Sequence, residues 1–269
     1  MAVDDISLPC WDDRQESWFS SDDERSFKIN IKKRKDLLQK YGWVQEDGVS
    51  PVPINYSVNG YNFRDEEIDD RPDTAIAIGC SCTFGVGMHR ESTWPYLVEQ
   101  AIQKKVWNLG VPAGGYESCF RALELVIATT KSKEVFLQTP SDWRREILND
   151  TDDPAIRIGS WNASNPNFEL YLADREFAIA KRRTLYAILG VCQRYGAKLY
   201  LWNAQEAHVK LNVQEMDRGR DLIHPGHQWH SAARDAMLER YGKPMDIEAI
   251  YAELEHYESY KNEYRSIIN

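Results

Sequence analysis

Short apolar runs alternate with longer amphipathic stretches from residue 74 onward. The apolar runs at 74–78, 106–109, 134–138 and 197–202 are typical of buried parallel strands. Helix-like spacing fills the stretches that follow them, at about residues 94–104, 116–130, 174–195 and 227–241. Such alternation predicts a parallel sheet with helices on both faces.

Less regular patterns lie on either side of this region. Residues 1–28 are polar, acidic and aromatic in patches, 29–41 have helix-like spacing, and 44–72 are rich in Pro, Asn, Gly and Asp. We therefore predict an N-terminal arm and lead-in over 1–72, an α/β domain over 73–245 and a C-terminal helix over 246–269. A polar and aromatic stretch at about 143–172 is predicted to be an insertion into the α/β domain.

Composition narrows the class of protein and its partners. The 269 residues are 42% hydrophobic and 28% charged, which is typical of a globular protein. A net charge of −9 argues against nucleic acid as a partner. No apolar stretch approaches the ~18 residues of a membrane span, and the start shows no signal-peptide pattern. We therefore expect a cytoplasmic protein with no membrane partner, whose five scattered cysteines are reduced thiols.

A serine lies where the first predicted strand turns toward a helix. The sequence there is Gly79-Cys80-Ser81-Cys82-Thr83. Backbone N–H groups surround a residue in such a position and can stabilise an oxyanion. The motif is neither a phosphate-binding loop ending in Gly-Lys-Ser/Thr nor a Gly-x-Ser-x-Gly elbow. Ser81 is therefore a candidate nucleophile, with a tight packing turn as the alternative.

A second candidate group precedes the last helix of the α/β region. His224 follows Asp221 by three residues, so the carboxylate can orient the imidazole as a general base for a serine. A capping role for Asp221 is one alternative. A metal cluster of Asp221, His224, His227 and His230 is another, since the last two share a helix face. Because Pro225-Gly226 interrupts the helix before them, we favour the catalytic interpretation.

Two further turns are candidate parts of the functional site. Small residues dominate Asn108–Gly115 after the second strand, where a backbone N–H could approach a substrate oxygen. Polar residues dominate Thr139–Arg145 after the third strand. In a doubly wound sheet the carboxyl ends of the strands meet at one edge. We therefore expect these turns, Ser81 and the loop of His224 to lie close together.

These motifs resemble those of the SGNH, or GDSL-like, hydrolase superfamily over roughly residues 74–241. The family's first block, Gly-Asp-Ser-x-Ser/Thr, is matched by Gly79 to Thr83, with Cys80 in place of the aspartate. Its last block, Asp-x-x-His-Pro, is matched in full by residues 221–225. The resemblance implies Ser81 as nucleophile, His224 as base and Asp221 as its orienter. A looser likeness links the chain to SGNH-like proteins of phages and bacteria.

The family's middle blocks fit less closely. The second block supplies a glycine N–H to the oxyanion hole. Here Asn108-Leu109-Gly110 aligns with its start, and the donor falls on Ala113 or Gly114. The resemblance thus implies an oxyanion hole of Ser81, Gly114 and Asn108. The third block, Gly-x-Asn-Asp, supplies an asparagine that this chain lacks. Its candidate replacements, which would also bind substrate, are Thr139, Ser141 and Arg144.

The expected fold is a flavodoxin-like three-layer α/β/α sandwich with about five parallel strands, the SGNH hydrolase fold. The expected function is hydrolysis of a small-molecule or carbohydrate ester by Ser81, His224 and Asp221, which requires no metal or organic cofactor. The alternative is a non-catalytic structural or binding protein on the same scaffold, for instance a phage particle component located in the virion. The missing asparagine favours the alternative, and the intact Ser81, Asp221 and His224 argue against it.

Overall fold

A computed structural model describes residues 17–141, 144–148, 155–159, 162, 174–203 and 216–252. The strands are β1 (Ala75–Gly79), β2 (Val106–Gly110), β3 (Glu134–Thr139), β4 (Arg145–Leu148), β5 (Ala155–Ile158) and β6 (Lys198–Asn203). The helices are α1 (Glu24–Lys33), α2 (Lys35–Lys40), α3 (Ser81–Phe84), α4 (Trp94–Ile102), α5 (Tyr116–Thr130), α6 (Asp174–Tyr195) and α7 (His227–Arg240). A 3₁₀ turn spans Arg90–Ser92.

Four parallel strands form the main sheet in the order β2-β1-β3-β6. The four strands lie where the apolar runs predict them, and β1 has neighbours on both sides. This is the order of a flavodoxin-like sheet, in which the chain starts near the middle and reverses direction once. The predicted three-layer sandwich is confirmed. About five strands were predicted, and the described residues contain four in this sheet.

The two faces of β1 pack against different helices. Ile76 and Ile78 point into an apolar cluster with residues of α5 and α6, whereas Ala75 and Ala77 point into a second cluster with Trp94 of α4 and residues of α7. All five residues of β1 are buried. The continuous apolar run in the sequence therefore reflects a strand that is covered on both faces.

The N-terminal region is more ordered than the sequence indicates. Residues 29–41 were predicted as one helix, but two helices form, and they meet at Arg34, whose φ of −143° and ψ of 34° are not helical. Asp23 caps α1 by accepting a hydrogen bond from the Ser26 N–H at 2.7 Å. A third apolar cluster joins this region to the residues after α3, through Phe19, Phe27, Leu38, Trp43, Ile54, Tyr56, Phe84, Val86, Met88 and Leu222.

The predicted insertion contains the antiparallel pair β4 and β5, which lies outside the main sheet. The buried ion pair between Arg121 of α5 and Glu146 of β4 attaches this pair to the body. Of the predicted C-terminal helix, residues 247–252 are helical, and residues 253–269 lie outside the described part. The described helices include none with the length and apolarity to cross a membrane. The division into arm, α/β domain and C-terminal helix stays a prediction.

Candidate active site

Ser81 lies at the carboxyl end of the central strand. β1 ends at Gly79, Cys80 has extended backbone angles as the N-cap, and Ser81 is the first residue of α3. The N–H groups of a first helical turn have no partner within the helix. The backbone N–H of Ser81 accordingly has no acceptor within the described residues. The Ser81 side chain is 4% exposed, so it lies just below the surface.

His224 and Asp221 lie at the tip of a narrow loop, residues 216–226, which we call the base loop. Backbone hydrogen bonds cross it from the Gly219 N–H to the His224 carbonyl at 2.9 Å and from the Gly226 N–H to the Asp217 carbonyl at 3.0 Å. Leu222, between the two candidate residues, has a left-handed φ of 57°. This tight bend turns both side chains toward the sheet edge.

A continuous line of hydrogen bonds joins the three predicted catalytic residues. The Nε2 atom of His224 is 2.9 Å from Ser81 Oγ, and its Nδ1 atom is 2.6 Å from Asp221 Oδ2. These residues are 143 positions apart in sequence at their widest, yet they meet within hydrogen-bonding distance. We call Ser81, His224 and Asp221 the Ser-His-Asp array. Such an array can pass a proton from the hydroxyl to the imidazole.

The Asp221 carboxylate is held by four donors. Its Oδ1 accepts from the N–H groups of Ile223 at 3.0 Å and of His224 at 2.9 Å, and its Oδ2 accepts from His224 Nδ1 and from the Ser21 hydroxyl at 2.7 Å. Burial alone would raise the pKa of Asp221. The hydrogen bonds from His224, Ser21 and Ile223 and the charge of His224 outweigh burial, so the pKa lies below its ordinary value. The carboxylate is therefore ionised and fixed in orientation.

The turn after β2 contains the second group of predicted oxyanion residues. The Gly114 N–H donates to the Val111 carbonyl at 2.9 Å, so this N–H already has an acceptor. Ala113, the other residue considered, has a left-handed φ of 59°, and its N–H has no acceptor in the part of the chain that the structure describes. The turn thus presents the Ala113 N–H rather than that of Gly114.

Asn108, the third residue expected in the oxyanion hole, is hydrogen-bonded at both ends of its side-chain amide. Its Nδ2 donates to the Thr83 carbonyl at 2.8 Å, and its Oδ1 accepts from the Gly110 N–H at 3.0 Å. Both ends of the side-chain amide are therefore used inside the protein. Asn108 therefore links β2 to the C-terminal end of α3, the helix that begins with Ser81, and so stabilises the position of that helix.

Gln138 is a second residue that links α3 to the sheet, and the sequence analysis did not single it out. It is 1% exposed near the end of β3, and its Oε1 accepts from Thr83 Oγ1 at 2.6 Å. Its Nε2 lies 3.6 Å from the sulfur of Cys80. A lone amide near the end of the apolar run Val135–Leu137 was the available signal, because a buried polar side chain needs a hydrogen-bonding partner.

The predicted substrate-binding residues follow β3 but differ in surroundings. Thr139 is buried as the last residue of the strand, and Ser141 is exposed. Arg144 is half-buried, and its Nη1 lies 3.5 Å from the Gly114 carbonyl. Arg144 therefore borders the same turn as Ala113. Residues 142–143 lie outside the described part.

The three histidines of the alternative metal cluster have separate partners. His224 contacts Ser81, the His227 ring stacks on Trp43 with centroids 5.5 Å apart, and the buried His230 accepts the Trp94 N–H at 3.1 Å through Nδ1. Among the described residues, no three His, Cys, Asp or Glu side chains converge as metal ligands. The helix break at Pro225-Gly226 separates His224 from the other two. His227 and His230 both lie on α7, but His227 is exposed and His230 is buried, so they do not share a face as expected.

Ser21 is the functional candidate that sequence reasoning missed. It lies in the N-terminal arm, 200 positions from the carboxylate to which it donates. No motif surrounds it, and serine is common in arms and turns. The sequence therefore carried no signal for its location.

Comparisons with known proteins give structural matches only. No family model matches the sequence, and the comparison with curated proteins gives no match. One matched structure is a protein from Desulfitobacterium hafniense, described as lipolytic and of the G-D-S-L family, at 18% identity and a TM-score of 0.33. The match covers 48% of this chain, which spans 58% of the length of that protein.

Two other matched structures are esterases. The psychrotrophic esterase from Pseudoalteromonas is 14% identical with a TM-score of 0.41, over 64% of this chain and 98% of that one. The acetyl xylan esterase from the rumen bacterium Butyrivibrio proteoclasticus is 12% identical with a TM-score of 0.43, over 66% of each chain. At these identities the likeness concerns the fold alone.

Proposed function

We propose that this protein is a serine-dependent ester hydrolase. The observation that supports the proposal is the Ser-His-Asp array, with 2.9 Å between Ser81 and His224 and 2.6 Å between His224 and Asp221. These distances are within the range required of a nucleophile, its base and the group that orients the base. Fold alone would not support an activity, because the same fold serves many functions.

The proposed reaction begins with attack of Ser81 Oγ on the acyl carbon of the ester. His224 Nε2 takes the serine proton as the bond forms and returns it to the departing alcohol. Water then attacks the acyl-enzyme, and His224 again takes and returns the proton while the carboxylic acid leaves. Asp221 keeps the other ring proton on Nδ1 throughout, so that Nε2 faces the serine.

Two backbone N–H groups are the proposed oxyanion donors. The first is that of Ser81 at the start of α3. The second is that of Ala113, since the N–H of Gly114 is donated to Val111. Arg144, bordering the same turn, is the proposed substitute for the family's asparagine. A donor of this kind contributes roughly 2.7–4 kcal/mol to transition-state stabilisation.

Small-molecule and carbohydrate esters are the proposed substrate class. An array of this kind acts on the acyl group and makes no demand on the alcohol part of the ester. Ile223, next to His224, is 62% exposed and gives the base loop an apolar edge that a short acyl chain or a methyl group can contact. Acetate and butyrate esters therefore test the proposal directly.

The first test is hydrolysis of p-nitrophenyl acetate and butyrate by the purified protein. We expect Ser81→Ala and His224→Ala each to lower kcat/KM by at least about a thousandfold, and the double variant to lower it little further, because the residues act as one unit. The matched controls are Ser57→Ala and His227→Asn, which change an exposed serine and an exposed histidine. Both should retain activity.

Labelling with a fluorophosphonate provides a second readout. This reagent forms a covalent bond with an activated serine, so it reports the nucleophile even when the natural ester is larger than the test esters. Wild type should be labelled at Ser81, and neither Ser81→Ala nor His224→Ala should react at a comparable rate. A folded wild-type protein that neither hydrolyses nor is labelled would favour the non-catalytic alternative.

A further inference from the structure

The N-terminal arm forms a two-residue turn, Phe19–Asp22, which we call the arm turn. The N–H and carbonyl groups of Phe19 and Asp22 bond to each other in both directions, at 2.9 and 3.0 Å. Ser20, the first residue of the bend, has a left-handed φ of 57°. Ser21 is the second residue of the bend, so its position is fixed by hydrogen bonds on both sides.

The arm turn is anchored to both halves of the candidate active site. On one side the Phe19 ring stacks on Phe84 of α3, with centroids 4.6 Å apart. On the other side Asp22 pairs with Arg220 of the base loop at 2.9 Å, and both side chains are almost fully buried. One anchor thus lies on the helix that begins with Ser81, and the other lies next to Asp221.

Between these anchors, Ser21 contacts the carboxylate itself. Its Oγ donates to Asp221 Oδ2 at 2.7 Å and lies 3.4 Å from His224 Nδ1. The oxygen that accepts from Ser21 is the same one that holds the imidazole. A donor on this oxygen spreads the carboxylate's charge, so it limits how strongly the carboxylate attracts the imidazole proton.

We propose that Ser21 is a positioning residue for the reaction of the Ser-His-Asp array, delivered from the N-terminal arm by the arm turn. The inference rests on the proposed function, and it extends the site to a segment outside the α/β domain predicted from the sequence. Its role is to hold the Asp221 carboxylate in orientation and to share the charge of the oxygen that binds the imidazole.

The expected pH effect depends on the charged and titratable groups around His224. From the base loop, the arm, α3 and α7 these are Asp221, Arg220, Asp22, Cys82, His227 and His230. Asp22 and Arg220 pair with each other. When the Ser21 hydroxyl is removed, the charge on Asp221 Oδ2 is more concentrated and holds the imidazole proton to higher pH. The acidic limb of the kcat/KM profile should therefore move upward.

The experiment compares Ser21→Ala, Ser21→Thr and Ser26→Ala. Ser26 lies in the same arm, and its hydroxyl bonds to Asp23 at 2.7 Å, away from the array. For Ser21→Ala we expect kcat/KM to fall about tenfold at neutral pH, the effect of one hydrogen bond to a charged group, with the acidic limb shifted upward. Threonine keeps the hydroxyl and should restore both quantities. Ser26→Ala should match wild type.

A measurement without turnover separates this inference from the proposed function. In the Ser81→Ala background, the ring signals of His224 are followed by NMR as a function of pH, with and without Ser21→Ala. The midpoint should move to higher pH when Ser21 is replaced, whether or not the protein hydrolyses any ester. Ser21 has no positioning role if the midpoint and the acidic limb both stay in place, or if Ser21→Thr shifts them as much as Ser21→Ala does.

Discussion

At the scale of single residues, the position of α3, the helix that begins with Ser81, depends on a close backbone contact with β2. A Cβ atom on Gly110, the last residue of β2, would lie 2.1 Å from the Phe84 nitrogen and 2.7 Å from the Thr83 carbonyl carbon. Both atoms belong to the backbone of α3, so neither can move aside like a flexible side chain. The glycine lets β2 and the helix that carries Ser81 approach each other.

We expect Gly110→Ala to lower the free energy of unfolding by roughly 1–3 kcal/mol and to lower kcat/KM, because α3 must move away from β2. Gly190→Ala is the matched control, since Gly190 lies on α6 with nothing within 4 Å of the added Cβ. That variant should gain up to about 1 kcal/mol of stability without loss of activity. Urea unfolding measures the stability of each variant, and ester hydrolysis measures its activity. Unchanged activity in a destabilised Gly110→Ala would show that the close approach serves packing only.

The residues that the sequence identified are those with a local pattern. Ser81 follows an apolar run at a helix start, and Asp221 and His224 are three residues apart before a proline, so the local sequence made these residues candidates. Asn108 was expected in the oxyanion hole only because of the family resemblance, and only the fold shows that its side-chain amide is bonded to Thr83 and Gly110. Ser21 had no local pattern.

At the scale of secondary-structure elements, α7 has an unusual buried group. His230 is 1% exposed and accepts the Trp94 N–H at the start of α4, which links the two helices on one face of the sheet. Burial, and then the charges of His227, His224 and Arg64, lower the pKa of His230 to about 3. The ring is therefore neutral in the folded protein at neutral pH.

Because the His230 imidazole is buried and neutral, we expect the stability of the protein to decrease in acid. Below the ordinary histidine pKa of about 6.5 the unfolded chain binds a proton that the folded chain does not, so the free energy of unfolding falls as pH falls. The loss continues to the folded pKa of about 3, at about 1.4 kcal/mol per pH unit. His230→Asn keeps an acceptor for the Trp94 N–H and should flatten this slope. His227→Asn, on the exposed side of α7, removes only the contribution of the His227 charge and should change this slope much less than His230→Asn does, as followed by urea unfolding from pH 7 to 4.

Strands and helices were predictable to different degrees. The four parallel strands are apolar runs that end at or near turn residues, and burial on both faces makes that signal strong. The helices of the arm were less predictable. Helix-like spacing continues through Arg34, yet the chain breaks there so that Phe27 of α1 and Leu38 of α2 can both reach the same apolar cluster. That requirement is set by tertiary packing.

At the scale of the whole molecule, one buried ion pair holds the arm to the α/β body. Arg220 is 0% exposed and donates to Asp22, to the Val52 carbonyl at 2.7 Å and to the Ser17 carbonyl. Its guanidinium also lies 4.1 Å from the centre of the Trp18 ring. Asp22 in turn accepts from the Tyr56 hydroxyl at 2.5 Å. Residues of the arm, the lead-in and the base loop therefore meet at one arginine.

We expect Arg220→Met to lower the free energy of unfolding by about 3–5 kcal/mol at neutral pH, because it leaves the Asp22 carboxylate buried without its cation. Burial already raises the pKa of Asp22, and Arg220 opposes that effect. Without Arg220 the carboxylate should bind a proton at higher pH, so the deficit should narrow as pH falls. Arg234→Met removes an exposed pair with Asp235 and should change stability by less than about 1 kcal/mol. A deficit that is independent of pH would contradict the assigned role of Asp22.

The contact between Ser21 and Asp221 also determines when the site can be completed during synthesis. The two residues are 200 positions apart, and a ribosome adds about 5–20 residues each second, so the arm waits roughly ten to forty seconds for its partner. During that time Phe19 and Phe27 lack Leu222, the member of their apolar cluster that comes from the base loop. Nascent chains that end before residue 224 should therefore lack ester hydrolysis, and the arm lacks its contacts with the base loop until that loop has been synthesised.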